Sequence, residues 1–252
     1  MLPTLQLGPL AIQTPGLILL IGLWLGLSLA ERHAGRYRFN ANQLYNFVFV
    51  VMTVGVVGAR LAYLLRYPAA FATSPLSVFS LNPGLLDPAG GLAAVLLAGE
   101  IYSQRKHISI WQALDAITPA LAVLLLALGF AHLASGAAFG APVDLPWSIN
   151  LWGERRHPAQ IYEIIAAGFV LGLVWPGRGL VRPSRPGVYF LSFAALSAGS
   201  RLFLEAFRGD SALLAAGLRS AQLAAWVILA VSLLGIYWKN YYRNVKEQNH
   251  VQ

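Results

Sequence analysis

A chain of 252 residues with 57% hydrophobic and only 11% charged residues and a mean hydropathy of +0.61 has less than half the roughly 25% charge usual in water-facing domains. The formal net charge of +8 reads as basic loops that orient membrane helices rather than as a nucleic-acid surface. Cysteine is absent, which removes disulfides, thiolate metal ligands and a cysteine nucleophile, and none of the five histidines pair at i, i+3 or i, i+4, which argues against a zinc site.

The apolar residues fall in blocks of roughly 20, which as helices cross about 30 Å of hydrocarbon. They lack the strict alternation of barrel strands, and backbone polar groups in lipid must pair within the segment. The expected fold is therefore all-α, a polytopic membrane helix bundle of about seven transmembrane helices. The whole of 1–252 is expected to form a single transmembrane domain with no separate soluble domain. In chain order the spans are expected at 9–30, 43–66, 84–102, 110–138, 157–176, 186–207 and 219–239. The first block has neither a basic start nor an A-x-A-like exit, so it reads as a span and not as a cleavable signal. The fourth is long and Gly-rich towards its end, at Gly129, Gly136 and Gly140, and is expected to tilt, break or re-enter. Prolines mark the connectors, at Pro68, Pro75 and Pro83, at Pro142 and Pro146, and at Pro176, Pro183 and Pro186.

Alternate connectors carry Arg32, Arg36 and Arg38; Arg105 and Lys106; Arg178, Arg182 and Arg185; and Lys239, Arg243 and Lys246, eleven of the 18 basic residues. By the positive-inside rule this face is cytoplasmic, so the amino terminus is expected outside and the carboxyl terminus inside. The opposite face has Arg66, Arg155, Arg156, Arg208 and Arg219, while Arg60 and Arg201 fall inside spans.

Ionisable residues within spans are costly and are functional candidates by default. Arg201, Glu205 and Arg208, at i, i+4 and i+7, share a stripe about 60° wide near the outer end of the sixth helix. Two guanidiniums around one carboxylate leave net positive charge, and arginine forks grip phosphate bidentately, which points to a phospholipid headgroup. The competing reading is an Arg–Glu–Arg clamp between helices. The run Arg155-Arg156-His157-Pro158-Ala159-Gln160-Ile161-Tyr162-Glu163 opens the fifth helix, with Pro158 at its first position. His157, Gln160 and Glu163 fan over about 120° of one face, and a helix amino terminus behind two arginines suits an anion. Arg60, with Tyr63 and Tyr67 on its face, either binds or snorkels outwards. His132 is either a base or a partner for a backbone carbonyl. Asp115 and Glu100 read as structural, and most of the seven tryptophans as interfacial anchors.

At these residues the chain resembles the prolipoprotein diacylglyceryl transferase family. The start Leu7-Gly8-Pro9-Leu10-Ala11-Ile12 and the stretch Gly58-Ala59-Arg60-Leu61-Ala62-Tyr63 are similar to its first two spans. Arg156-His157-Pro158-Ala159-Gln160-Ile161-Tyr162-Glu163 is close to its R-H-P-S-Q-L-Y-E, and Arg201, Glu205, Arg208 and Asp210 echo its F-R-x-x-x-E-F-x-R-x-P-D. The resemblance implies transfer of a diacylglyceryl group from phosphatidylglycerol to the cysteine of a lipoprotein signal peptide. It implies no cofactor, no nucleic-acid partner and a multi-pass location in a bacterial inner membrane. Arg60, Arg201 and Arg208 would hold the headgroup with Gln160, Tyr162, Glu163 and Glu205, and His157 or His132 would take the thiol proton. Departures from the family pattern place Ala89 at the histidine of F-H-G-G, and Phe130 and Leu133 at the arginine and first asparagine of G-R-x-G-N-F-x-N-x-E. Gly136 and Ala138 stand at the second asparagine and the glutamate of that signature, and the outer segment 139–156 is short. These departures support the alternative, a family-derived protein that binds phospholipid or a membrane partner without turnover.

Overall fold

The computed structural model describes residues 3–7, 10–72, 77, 80, 82–181, 185–214 and 218–249. Gly8 and Pro9 of the opening motif, together with Pro75, Arg182 and Pro183, lie outside the described residues.

Among the described residues, seven α-helices of 15 residues or more follow the seven apolar blocks: α1 Thr14–Ala34, α2 Ala41–Arg66, α3 Pro88–Arg105, α4 Ile110–Ser135, α5 Ala159–Leu173, α6 Val188–Glu205 and α7 Ser220–Asn249. Four segments among the described residues, Thr14–Tyr37, Ala41–Arg66, Ile110–Ser135 and Ser220–Tyr241, are long and apolar enough to cross a membrane. Their outward faces are oily: Leu20, Trp24, Phe49, Leu65, Trp226 and Val231 are all exposed. A water-soluble protein would bury such side chains. The chain is a helical membrane protein.

Two antiparallel hairpins amend the all-helical expectation. β1 Thr4–Leu7 pairs with β2 Leu10–Gln13, so residues 10–13 are strand, not the first turns of a span beginning at 9. The helix starts at Thr14, and Pro15 sits in its first turn, where a missing N–H leaves nothing unpaired. β3 Ile149–Leu151 pairs with β4 Glu154–Arg156. The two residues between them, Trp152 and Gly153, both have positive φ, 57° and 81°, as a tight hairpin turn requires. The Gly-rich end of α4 neither breaks nor re-enters among the described residues. The helix runs through Pro119 to Ser135 and stops at Gly136, whose φ is 75°.

The chain divides into two compact units, one of Ala34–Ala116 and one of Met1–His33 with Ile117–Gln252. In the former, Asn40 Oδ1 accepts from Gln43 N at 2.8 Å and Gln43 Oε1 accepts from Asn40 N at 3.1 Å, a reciprocal cap on α2. Asp87 caps α3 by accepting from Gly90 N at 2.7 Å, with Pro88 at the first position. Small residues let these two helices touch backbone to backbone: a Cβ at Gly58 would overlap that of Ala94, and one at Gly90 that of Ala62. This is close packing of the kind that lipid-embedded helices use in place of a hydrophobic drive.

In the other unit, Gly22 and Gly26 of α1 meet Ala127 and Ala120 of α4 in the same way. The buried Tyr189 hydroxyl of α6 donates to the Val174 carbonyl at the end of α5. Lys239 Nζ of α7 donates to the Pro186 carbonyl at 2.7 Å. These ties hold α5, α6 and α7 in register.

Candidate functional site

Between α4 and α5 the chain forms a strap sewn on both sides. Ala141 N donates to Phe207 O at 2.8 Å and Gly209 N to Phe139 O at 2.9 Å on one side; His157 N donates to Ala141 O at 3.0 Å and Val143 N to Arg155 O at 2.9 Å on the other. Gly140 admits no Cβ, because the His157 carbonyl occupies that space. Gln160, fully buried, donates from Nε2 to the Ala137 carbonyl at 2.9 Å. These bonds fix the start of α5 against the turn that ends α6, and so set where Glu163 points.

Glu163 is the hub. Its Oε1 accepts from Arg201 Nη1 at 3.0 Å and from Arg208 Nη1 at 2.7 Å. Its Oε2 lies 2.7 Å from Nδ1 of His132, near the end of α4. Arg208, 9% exposed, also forks onto Asp210 with Nε to Oδ1 at 3.0 Å and Nη2 to Oδ2 at 2.8 Å. Glu205, 1% exposed, has Oε2 3.1 Å from Arg201 Nη2 without hydrogen-bond alignment, and Oε1 accepts from Ser211 Oγ. Arg219 Nη1 donates to the carbonyls of Glu205 and Arg208, the latter at 3.1 Å. The expected pair of guanidiniums around a single carboxylate is therefore corrected: Glu163, Glu205 and Asp210 all face the arginines. A partly dry site demands that balance, because an unmatched buried charge carries a penalty of several kcal/mol.

The cluster is not sealed. Arg201 keeps 36% of its side chain exposed and lines, with His132, Glu163, Ser197 and Ser200, a half-open pocket of roughly 420 Å³ counting the space at its mouth. The remaining walls are apolar, including Leu125, Leu128 and Leu204. An apolar trough with convergent polar groups at one end suits an amphiphile.

The other expected site residues lie elsewhere. His157 belongs to an aromatic cluster, with ring centroids 5.2 Å from Phe207 and 6.1 Å from Tyr162. The Tyr162 hydroxyl accepts from Trp147 Nε1 at 2.9 Å and lies 3.4 Å from His157 Nδ1. The structure thus brings His132, not His157, to the pocket wall. Arg60, in the unit of α2 and α3, donates from Nη1 to Leu85 O at 2.9 Å and from Nη2 to Ser77 O at 3.2 Å and to Ser80 O, so its guanidinium gathers loop carbonyls. Phe130 is 44% exposed on α4, Leu133 is half-buried, and Ala138 is buried with φ 55°. Ala89 lies in the first turn of α3. Sequence reasoning missed the counter-ion role of Asp210 and the part played by Ser211 and Arg219. The i, i+2 spacing of Arg208 and Asp210 was the available signal.

Fold and site together define a helical membrane protein with an apolar pocket that ends on an ion-paired polar cluster. Residues 3–238 match the family model described as prolipoprotein diacylglyceryl transferase. Similar proteins named phosphatidylglycerol–prolipoprotein diacylglyceryl transferase include those of Synechococcus elongatus, 29% identical over 94% of this chain and 86% of that protein, and Bordetella parapertussis, 30% identical over 92% and 91%. The Geobacter sulfurreducens protein of the same name is 31% identical over 90% of this chain and 91% of its own length. The chain belongs to the prolipoprotein diacylglyceryl transferase family.

Proposed function

We propose that this chain transfers a diacylglyceryl group from phosphatidylglycerol to the cysteine thiol of a lipoprotein signal peptide. It does so as a multi-pass protein of a bacterial inner membrane, built as one membrane domain throughout. The observation that supports this most directly is Arg201, half-exposed on a pocket with apolar walls, in a chain whose relatives carry that activity in their names. The reaction needs an activated thiol, an aligned glycerol carbon and stabilisation of the departing glycerol phosphate. Arginines placed at the departing phosphate supply the electrostatic part, and Arg201 and Arg208 are the pair on which this rests. The apolar walls would hold the acyl chains.

The test is lipidation of a cysteine-bearing signal peptide by purified protein in phosphatidylglycerol nanodiscs, alongside complementation of transferase-depleted bacteria. Arg201→Ala is expected to lower turnover by on the order of 100-fold. Product formed by Arg201→Ala at the wild-type rate would remove the phosphate grip. The replacements at Ala89, Phe130 and Leu133 favour a second reading, a phospholipid binder without turnover. That reading wins if the wild type binds phosphatidylglycerol vesicles but yields no thioether.

In this proposal all seven helices are spans, with the amino end outside and the carboxyl end in the cytoplasm. A reporter fused after Gln252 is expected to be active only in its cytoplasmic form. Activity of a periplasm-dependent reporter there would invert the arrangement.

A further inference from the structure

Resting on the transferase reading, we infer that His132 is the catalytic base for the acceptor thiol and that Glu163 is its positioning residue, shared with the arginines that face the phosphate. His132 Nδ1 is 2.7 Å from Glu163 Oε2. An ion-paired carboxylate only accepts, so Nδ1 carries the proton and Nε2 keeps its lone pair. Nε2 has no hydrogen-bond partner among the described residues, and the imidazole lines the pocket. A pocket wall that carries an oriented lone pair is placed to meet a polar ligand. Glu163 of α5 is the charged group against the imidazole; through it the ring is linked to Arg201 of α6 and to Arg208, which pair in turn with Glu205 and Asp210.

The step balances. Nε2 takes the thiol proton as sulfur attacks the glycerol carbon that bears the phosphate. The S–C bond forms while that C–O bond breaks, and the electron pair leaves on the phosphate oxygen. The imidazolium then returns its proton to that oxygen, so glycerol phosphate departs and the histidine is neutral again.

Glu163 gives the arrangement a signature. Its Oε1 occupies the same guanidinium donors, Arg201 Nη1 and Arg208 Nη1, that a phosphate would use. The carboxylate therefore competes with the lipid while it orients the base, and removing its charge should push binding and turnover in opposite directions. In nanodiscs of phosphatidylglycerol and phosphatidylethanolamine with a synthetic signal peptide, Glu163→Gln is expected to lower KM for phosphatidylglycerol severalfold. The same variant is expected to lower kcat by on the order of 100-fold, the usual scale of general-base catalysis. His132→Ala is expected to lose a similar factor in kcat with little change in KM, and to recover part of it when imidazole is added. His132→Gln, which keeps a donor for Glu163, is expected to bind lipid normally and stay inactive.

Turnover by His132→Ala at the wild-type rate overturns the base. A loss of kcat and of lipid binding together in Glu163→Gln, as a simple helix clamp gives, overturns the shared carboxylate. Absence of thioether from the wild type itself takes down the transferase reading, and this inference with it, and so is told apart from a failure confined to the variants.

Discussion

Arg208→Ala is expected to destabilise the protein by about 3–5 kcal/mol, the loss associated with stripping one partner from a buried ion pair. Arg208 is 9% exposed and serves two carboxylates at once, through Nη1 to Glu163 at 2.7 Å and through Nε and Nη2 to Asp210. Removing it leaves negative charge at the junction of α5, α6 and the strap, with Arg201 and the His132 ring still on Glu163. Heat-induced loss of the monodisperse peak in detergent size-exclusion chromatography measures the effect. Arg208→Lys should fall between the two, since an ammonium keeps the charge but not the planar fork. A wild-type unfolding midpoint for Arg208→Ala would mean that the cluster is held from elsewhere.

Gly58→Leu is the second large effect, expected at about 3 kcal/mol or more from overpacking. No rotamer avoids the collision, because the first side-chain carbon already overlaps Ala94 of α3. The two helices must separate, and the contacts around Gly55 and Gly91 part with them. Gly168→Ala on α5 is the matched control, since a Cβ there meets nothing within 4 Å. It should leave the midpoint unchanged or raise it slightly through helix propensity. Equal behaviour of the two variants in the same thermal assay would show that the α2–α3 contact carries little weight.

The helices were legible because each depends on a local quantity, the length of an apolar run: all seven begin within five residues of where the runs begin, although α7 continues to Asn249, ten residues past its run. What was not legible depended on pairing across distance. Residues 10–13 are as apolar as the helix that follows, and only their partners Thr4–Leu7 make them strand; Pro15 marked the true helix start. The spacing of Arg201, Glu205 and Arg208 announced a shared helical stripe; the structure brings the three to one site, but α6 ends at Glu205 and Arg208 lies beyond it, bridged to Gly140. Periodicity within one helix says nothing about which neighbour faces it, however, so neither Glu163 as the common acceptor nor His132 as its third partner followed from spacing. What the sequence does offer is that both are polar residues within apolar runs. His157 drew attention by its motif, yet its surroundings are aromatic rings.

The double stitching of the strap has a bearing on how this chain can change in length. Backbone bonds to 207–209 on one flank and to 155–157 on the other leave residues 139–143 no slack. An inserted residue there would shift Gly140 and bring a residue with a side chain to the point where the His157 carbonyl leaves no room for a Cβ. The hairpin tip at Trp152 and Gly153 is free of that restraint: a Cβ at Gly153 meets nothing within 4 Å. Extra residues, an epitope or a whole grafted module can therefore be accommodated at that tip, outward of β3 and β4, while the ion-paired pocket keeps its shape.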